Sequence, residues 1–130
     1  MAGRKILLVD DEVDFLDLMK TRLEANGYEV ITANNGKDAL DRFKNDKPDA
    51  LLLDVMMPEL DGLSVLKAIR AQDAVIPVFI VTAFSNEERV KAAGQLNATG
   101  FIVKTRDLGR EVKNITAAIE IAEKFRGKRA

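Results

Sequence analysis

The chain contains no cysteine and no histidine among its 130 residues. Without cysteine it can form no disulfide, no thiolate metal site and no cysteine nucleophile. Without histidine it can carry no Ser-His-Asp triad, no imidazole zinc site and no histidine phosphoacceptor of its own. The commonest thiol and imidazole chemistries are therefore excluded.

Long apolar runs and a strong charge bias are also missing. No stretch of the sequence is long enough to span a bilayer, and the N-terminus lacks the apolar region of a signal peptide. The net charge of −1 does not draw the whole molecule toward nucleic acid or an anionic membrane. The length suits one domain with a real core but not two. We therefore expect one domain, residues 1–130, in the cytoplasm, with no membrane contact.

What the sequence does contain is a regular alternation of short apolar runs and amphipathic stretches. Four of the runs are almost continuously apolar, as expected of strands buried on both faces, and the second is mixed, as expected of an edge strand. This order predicts an α/β fold, a parallel sheet with helices on both faces and right-handed crossovers. The predicted strands are Lys5–Val9, Tyr28–Thr32, Ala50–Asp54, Val78–Val81 and Phe101–Val103.

Five helices are predicted between and after the strands from the spacing of their apolar residues. Asn26-Gly27 is a stop signal for the first helix, and Ser85–Glu88 is a capping box for the fourth. The apolar residues expected to face the sheet are Phe15, Leu16, Met19 and Leu23, then Ala39, Leu40 and Phe43, then Leu63, Leu66 and Ile69, then Val90, Ala93 and Leu96, then Leu108, Val112, Ile115, Ile119 and Ala122.

Carboxylates stand where two of the apolar runs end. Asp10 and Asp11 follow the first run, and Asp54 closes the third. An ionised carboxylate at a buried strand end is costly to desolvate unless something pairs with it. Such an acidic pocket binds a hard divalent cation or presents a carboxylate as a nucleophile. The plainer alternatives are that Asp10 or Asp11 caps the first helix, which we expect of one of them, and that Asp54 forms a buried salt bridge with Lys104.

Four segments together resemble the receiver domain of two-component response regulators, and the resemblance covers essentially the whole chain. It implies a doubly wound, flavodoxin-like five-stranded parallel sheet of order 2-1-3-4-5. It also implies a signalling switch rather than an enzyme, in a single receiver domain with no output domain on this chain. The segments are Ile6–Glu12, Asp54–Gly62, Val81–Ala83 and Phe101–Lys104.

The resemblance also implies a role for each matching residue. Asp54 is the expected phosphoacceptor, and Lys104 and Thr82 are expected to donate hydrogen bonds to the phosphoryl oxygens. The expected cofactor is Mg²⁺, whose preference for hard oxygen ligands suits the acidic pocket. The expected metal ligands are the carboxylates of Asp10, Asp11 and Asp54 and the backbone carbonyl of Met56.

The expected partners follow from the same resemblance. A histidine kinase or a histidine phosphotransfer protein would supply the phosphoryl group. Thr82 and Phe101 would then switch the face formed by the fourth helix, fifth strand and fifth helix. That face would bind a downstream protein target and could form a homodimer, and we expect no direct nucleic acid binding by this chain.

Three other functions compete with the phosphorylated receiver, which could also be a fragment of a larger regulator. A pseudo-receiver would act by protein binding alone, although the five matching site residues argue against it. A phosphoryl hydrolase would have a second Asp two positions after Asp54, where Met56 stands. A flavin-binding domain would need a phosphate loop after the first strand. One position departs from the family pattern: Thr105 replaces the usual proline, so we predict a trans Lys104–Thr105 bond.

Overall fold

The computed structural model describes residues 4–54, 62–82, 87–103, 113 and 116–117; of Thr82, residues 87–90 and Val103 it describes the backbone alone. Strands and helices alternate along the chain, as the sequence predicts. Of the predicted fifth helix, only positions 113, 116 and 117 are described, and they are helical. The elements are β1 (Lys5–Val9), α1 (Val13–Ala25), β2 (Glu29–Ala33), α2 (Gly36–Asp46), β3 (Ala50–Leu53), α3 (Gly62–Gln72), β4 (Val78–Thr82), α4 (Glu87–Gln95) and β5 (Gly100–Val103).

The five strands form one sheet in the order β2-β1-β3-β4-β5, and every neighbouring pair is parallel. The predicted order is confirmed, and so is the position of β2 at an edge. The sheet has three inner strands, and two of them, β1 and β3, are buried along almost their whole length, because helices cover both faces. No helix among the described residues is long and apolar enough to cross a membrane.

Alternate residues of the strands face two separate cores, as the two-residue period of a strand requires. One core contains Leu8 and Leu52 together with the buried face of α1. The other contains Leu7 and Leu51 together with residues of α2, α3 and α4. The predicted inward face of α1 is confirmed in full, since Phe15, Leu16, Met19 and Leu23 are all buried.

The predicted stop of α1 is also confirmed. Gly27 adopts a positive φ of 93°, a conformation that costs glycine little. Its N–H donates to the carbonyl of Glu24 at 3.0 Å, and Tyr28 N–H donates to Leu23 at 3.2 Å. These two bonds form the Schellman motif that satisfies the last carbonyls of a helix.

The start of α1 differs from the prediction that Asp10 or Asp11 caps it. The N-cap residue is Glu12, and its side chain makes no capping hydrogen bond. The Oδ1 atom of Asp10 instead accepts the backbone N–H of Glu12 at 2.9 Å. Because this bond turns the chain before the helix begins, the Asp10 side chain stays at the end of β1 and the helix starts at Val13.

Candidate functional site

The carboxylates that the sequence places at strand ends come from neighbouring strands. Val9 pairs with Leu53 in the register of β1 and β3, so Asp10 and Asp54 each follow at the next position. The N–H of Asp54 donates to the carbonyl of Val9 at 3.0 Å, which continues the ladder by one residue. The two side chains are therefore set at the carboxyl ends of adjacent strands, where open α/β sheets bind their ligands.

Both of these carboxylates are buried. Asp10 is 1% exposed and Asp54 is 4% exposed, and they are the two buried polar or charged side chains among the residues whose burial is described. Taking a charged group out of water costs several kcal/mol, and two acidic groups at the ends of adjacent strands also repel each other. Such a cost is typical of a functional site.

A group of three carboxylates lies at the same edge. Oxygen atoms of Asp10, Asp11 and Glu12 come within 4.8 Å of one another, and Asp11 and Glu12 are exposed. Carboxylate oxygens are the ligands that Mg²⁺ prefers, so the residues present fit a hard divalent cation. Asp54 is not a member of this group, and its part in metal binding stays a prediction.

Glu12 was not among the metal ligands predicted from the sequence. Its signal was its place directly after Asp10 and Asp11. The metal ligands were chosen by the resemblance, which assigns only the first two carboxylates of that run. The bond from Glu12 N–H to Asp10 explains the proximity, because it folds the chain back over the strand end. Glu12 thereby adds a second exposed negative charge beside that of Asp11.

The remaining predicted site residues are only partly described. Thr82 ends β4 and its backbone pairs with Val103 of β5, the residue before Lys104 in the sequence. The side chain of Thr82, the whole of Lys104 and Met56, and the Lys104–Thr105 bond lie outside the described residues. Their predicted roles are untested.

Phe101, the predicted aromatic switch, lies in β5 opposite Ile80 of β4. Its side chain is 42% exposed, whereas the next residue, Ile102, is buried in the core that contains the α1 face. A large apolar ring is therefore held at the surface of the edge strand. The role of Phe101 as a switch residue stays a prediction.

Comparison with known proteins identifies the family. The model of the response regulator receiver domain matches residues 6–119 of the chain. The chain belongs to this family. A receiver domain is a signalling module of two-component systems rather than an enzyme, and it implies a histidine kinase as partner.

Curated relatives of this receiver include longer regulators. The alkaline phosphatase synthesis transcriptional regulatory protein PhoP of Bacillus subtilis is 42% identical over 124 residues, which are 92% of this chain and 51% of the relative. The regulatory protein AtoC of Escherichia coli is 36% identical over 107 residues, which are 82% of this chain and 23% of AtoC. The receiver thus spans about half, or less, of the length of these relatives.

Solved structures show the same fold. NtrX of Brucella abortus matches with a TM-score of 0.88 and 32% identity, over 99% of this chain and 30% of NtrX. The chemotaxis protein CheY4 of Vibrio cholerae matches with a TM-score of 0.82 and 29% identity, over 90% of this chain and 99% of CheY4. The receiver is therefore similar both to a part of a longer protein and to almost the whole of a small one.

Proposed function

We propose that this receiver accepts a phosphoryl group on Asp54 from a phosphohistidine of a histidine kinase or a histidine phosphotransfer protein. The observation that carries the proposal is the pair of buried carboxylates, Asp10 and Asp54, at the ends of adjacent central strands. In the transfer, an Asp54 oxygen forms a bond to phosphorus while the bond between phosphorus and the histidine nitrogen breaks. The imidazole keeps the electron pair of the broken bond.

The acidic pocket supports a role for Mg²⁺ in this transfer. We propose that Asp10, Asp11 and Asp54 would hold the ion together with the carbonyl of Met56, and that Glu12 adds negative charge nearby. When bound, Mg²⁺ would neutralise the carboxylates and the phosphoryl oxygens, so that two anionic groups can approach. Asp10 is the ligand whose position is best fixed, because it accepts the Glu12 N–H.

Two donors would complete the site. Phosphoryl transfer is catalysed mainly by positioning and charge stabilisation, so few further groups are needed. Lys104 would offer its ammonium group to one phosphoryl oxygen and Thr82 its hydroxyl to another. The support for this part is the backbone register, in which Thr82 pairs with Val103 and Lys104 follows.

The output of the switch would be a change of surface. Phosphorylation replaces the single charge of the Asp54 carboxylate with a phosphoryl group that carries about −1.5 to −2 charges, and Thr82 would move toward the new oxygens. Phe101 would then turn inward and change the face formed by α4, β5 and the predicted fifth helix. That face would bind a downstream protein target or a second copy of the chain, and the net charge of −1 gives no support to direct binding of nucleic acid.

Partner binding contributes to this switch in the proposal. A change from 1:99 to 99:1 between two states needs about 5.5 kcal/mol of differential stabilisation. Hydrogen bonds to a charged group contribute about 1.5–3 kcal/mol each. The two new bonds from Lys104 and Thr82 together supply about 3–6 kcal/mol, and binding of the target supplies up to about 2.5 kcal/mol more where the bonds fall short.

Intact-mass spectrometry after incubation with a small phosphodonor and Mg²⁺ tests the proposal. We expect one phosphoryl adduct, which Asp54→Asn abolishes and which omission of Mg²⁺ greatly reduces. Asp41→Asn is the matched control, because Asp41 is an exposed aspartate of α2 far from the strand ends in sequence. A wild-type chain that forms no adduct would favour the pseudo-receiver, which acts by binding alone.

A further inference from the structure

Arg70, in the last turn of α3, donates hydrogen bonds to three separate parts of the backbone. Its Nη1 atom donates to the carbonyl of Asp73 at 3.2 Å and to that of Ile76 at 2.8 Å. Its Nε and Nη2 atoms both donate to the carbonyl of Asn97, at 3.1 and 2.9 Å. One guanidinium therefore connects α3 and the loop before β4 to the end of α4.

The guanidinium keeps its charge in this place. Burial lowers the pKa of Arg70, and the nearby charge of Asp73 opposes that effect. An arginine remains protonated in proteins because its ordinary pKa lies above the physiological range. Hydrogen bonds from a charged group are about twice as strong as neutral ones, so these four bonds are a strong local constraint.

Asn97, whose carbonyl accepts two of these bonds, lies two residues after the last residue of α4. Asn97 has a positive φ of 63°, a conformation for which asparagine is one of the preferred residues. Its N–H donates to Gly94 at 3.0 Å, and the N–H of Ala98 donates to Ala93, also at 3.0 Å. These bonds are again a Schellman motif, so Arg70 holds the carbonyl at the turn that closes the helix.

The chain after Asn97 is fixed as well. The N–H of Thr99 donates to the carbonyl of Val78 at 2.8 Å, and the hydroxyl oxygen of Thr99 accepts the N–H of Val78 at 2.9 Å. Both bonds join the start of β5 to the start of β4. The carboxyl end of α4 is thus bound to α3, to the loop before β4 and to the sheet.

The amino end of α4 has a different position. Because β4 ends at Thr82, the chain leaves the sheet toward α4 at the carboxyl ends of the parallel strands, where Asp10 and Asp54 also lie. The carboxyl end of α4 lies on the opposite side, at the amino ends of the strands, where β5 begins. The amino end of α4 therefore lies on the same side of the sheet as Asp54.

We propose that Arg70 fixes the carboxyl end of α4, so that movement of α4 during switching is confined to its amino-terminal part. The movement of α4 rests on the proposed function, whereas the fixing of its carboxyl end by Arg70 does not. In this account Arg70 decides how far a change at the phosphorylation site spreads along α4.

Amide hydrogen exchange of the full chain, without phosphodonor, tests whether Arg70 fixes the carboxyl end of α4. In Arg70→Met the amides of Asn97 and Ala98 should exchange about tenfold faster or more, as expected when hydrogen bonds to a charged group are lost. The amides of Leu51–Leu53 should change by less than about twofold, because the central sheet remains folded. Arg70→Lys should have the same effect in weaker form, since lysine lacks the forked donors of arginine.

Arg22→Met is the matched control, because Arg22 is an exposed arginine in the last turn of α1. It should leave exchange at Asn97 and Ala98 unchanged. If the Arg70 variants keep wild-type protection at these two amides, Arg70 does not fix the carboxyl end of α4 and the proposal is wrong. If protection falls by the same factor throughout the sheet, Arg70 contributes only to global stability. The proposal of a local effect at the carboxyl end of α4 is then wrong as well.

A second measurement adds a phosphodonor and Mg²⁺ and follows the adduct by mass. With adduct present, wild-type exchange should change at the amino end of α4 and stay constant at Asn97 and Ala98, whereas in Arg70→Met the change should reach both. An equal change at both ends of α4 in the wild type would overturn the confinement. A chain without adduct refutes the proposed function. The exchange measurement without phosphodonor then decides by itself whether Arg70 fixes the carboxyl end of α4.

Discussion

Replacing Asp54 with asparagine should make the metal-free protein more stable, although it removes the proposed phosphoacceptor. Adjacent strands lie about 4.8 Å apart, so ionised side chains of Asp10 and Asp54 would be about 5 Å from each other. At an effective dielectric constant of about 20, two such charges repel by about 3 kcal/mol. The amide keeps the volume of the side chain but weakens the hydrogen bonds that the carboxylate accepts, by about 1–2 kcal/mol.

The balance is a gain of about 1–2 kcal/mol in the free energy of unfolding for Asp54→Asn. For a chain of this size that corresponds to a rise in Tm of about 3–8 °C. Thermal unfolding in the presence of a chelator measures it. Asp41→Asn, on the exposed side of α2, is the control and should stay within about 0.5 kcal/mol of the wild type.

Mg²⁺ should reduce this difference in stability between the variant and the wild type. A ligand at 100 times its Kd stabilises the folded state by about 2.7 kcal/mol. The wild type should gain this amount, and Asp54→Asn should gain less because it has lost one carboxylate. The advantage of the variant should therefore shrink or disappear as Mg²⁺ is added. A large fall in Tm for Asp54→Asn under chelation would refute the repulsion between the two buried carboxylates.

Three smaller changes test other parts of the structure. Asn35→Ala should cost about 1 kcal/mol in urea unfolding, because the Asn35 side chain caps α2 by accepting the N–H of Asp38 at 2.8 Å, while an unchanged midpoint would contradict the cap. Gly27→Ala should cost about 1–2 kcal/mol at its positive φ, whereas Gly94→Ala in α4, where an added Cβ meets nothing within 4 Å, should gain about 0.5–1 kcal/mol; equal effects would contradict this reasoning. Glu12→Gln should raise the Kd for Mg²⁺ about two- to fivefold, as the loss of an exposed charge does, and an unchanged Kd in a calorimetric titration would exclude Glu12 from the metal site.

The strand order was predicted from the family resemblance, whereas the burial of both faces of the sheet was predicted from the apolar runs as well. The bounds were less certain where local hydrogen bonds compete with the sheet. The predicted second strand began at Tyr28, but β2 begins at Glu29. The N–H of Tyr28 donates to Leu23 and so belongs to the turn that closes α1. Periodicity does not show this competition, since both residues suit a strand.

The helix faces show a similar limit. The third predicted face named Leu63, Leu66 and Ile69, while the residues of α3 that are buried are Gly62, Val65, Leu66 and Ile69. Leu63 packs against the same core but stays half-buried at its border. The sequence identifies the apolar side of a helix, but the rotation of that side against the sheet depends on where the helix begins. That start follows the segment of residues 55–61.

The site was predicted in part. Asp10 and Asp54 lie where two adjacent strands end, and these positions could be predicted because each residue ends or follows an apolar run that forms a strand. Glu12 was missed, since its place beside Asp10 depends on one backbone hydrogen bond. Arg70 was missed as well, because its three acceptor carbonyls come from segments up to 27 residues away and no sequence pattern connects them.

Chemical mapping of the phosphorylated residue tests the central claim most directly. Borohydride reduces an acyl phosphate of aspartate to homoserine, and sequencing of the resulting peptides by mass spectrometry shows which aspartate carried it. After incubation with phosphodonor and Mg²⁺, the account predicts homoserine at position 54 alone. Homoserine at Asp10 or Asp11, or unmodified Asp54 in a chain that carries the adduct, would contradict it.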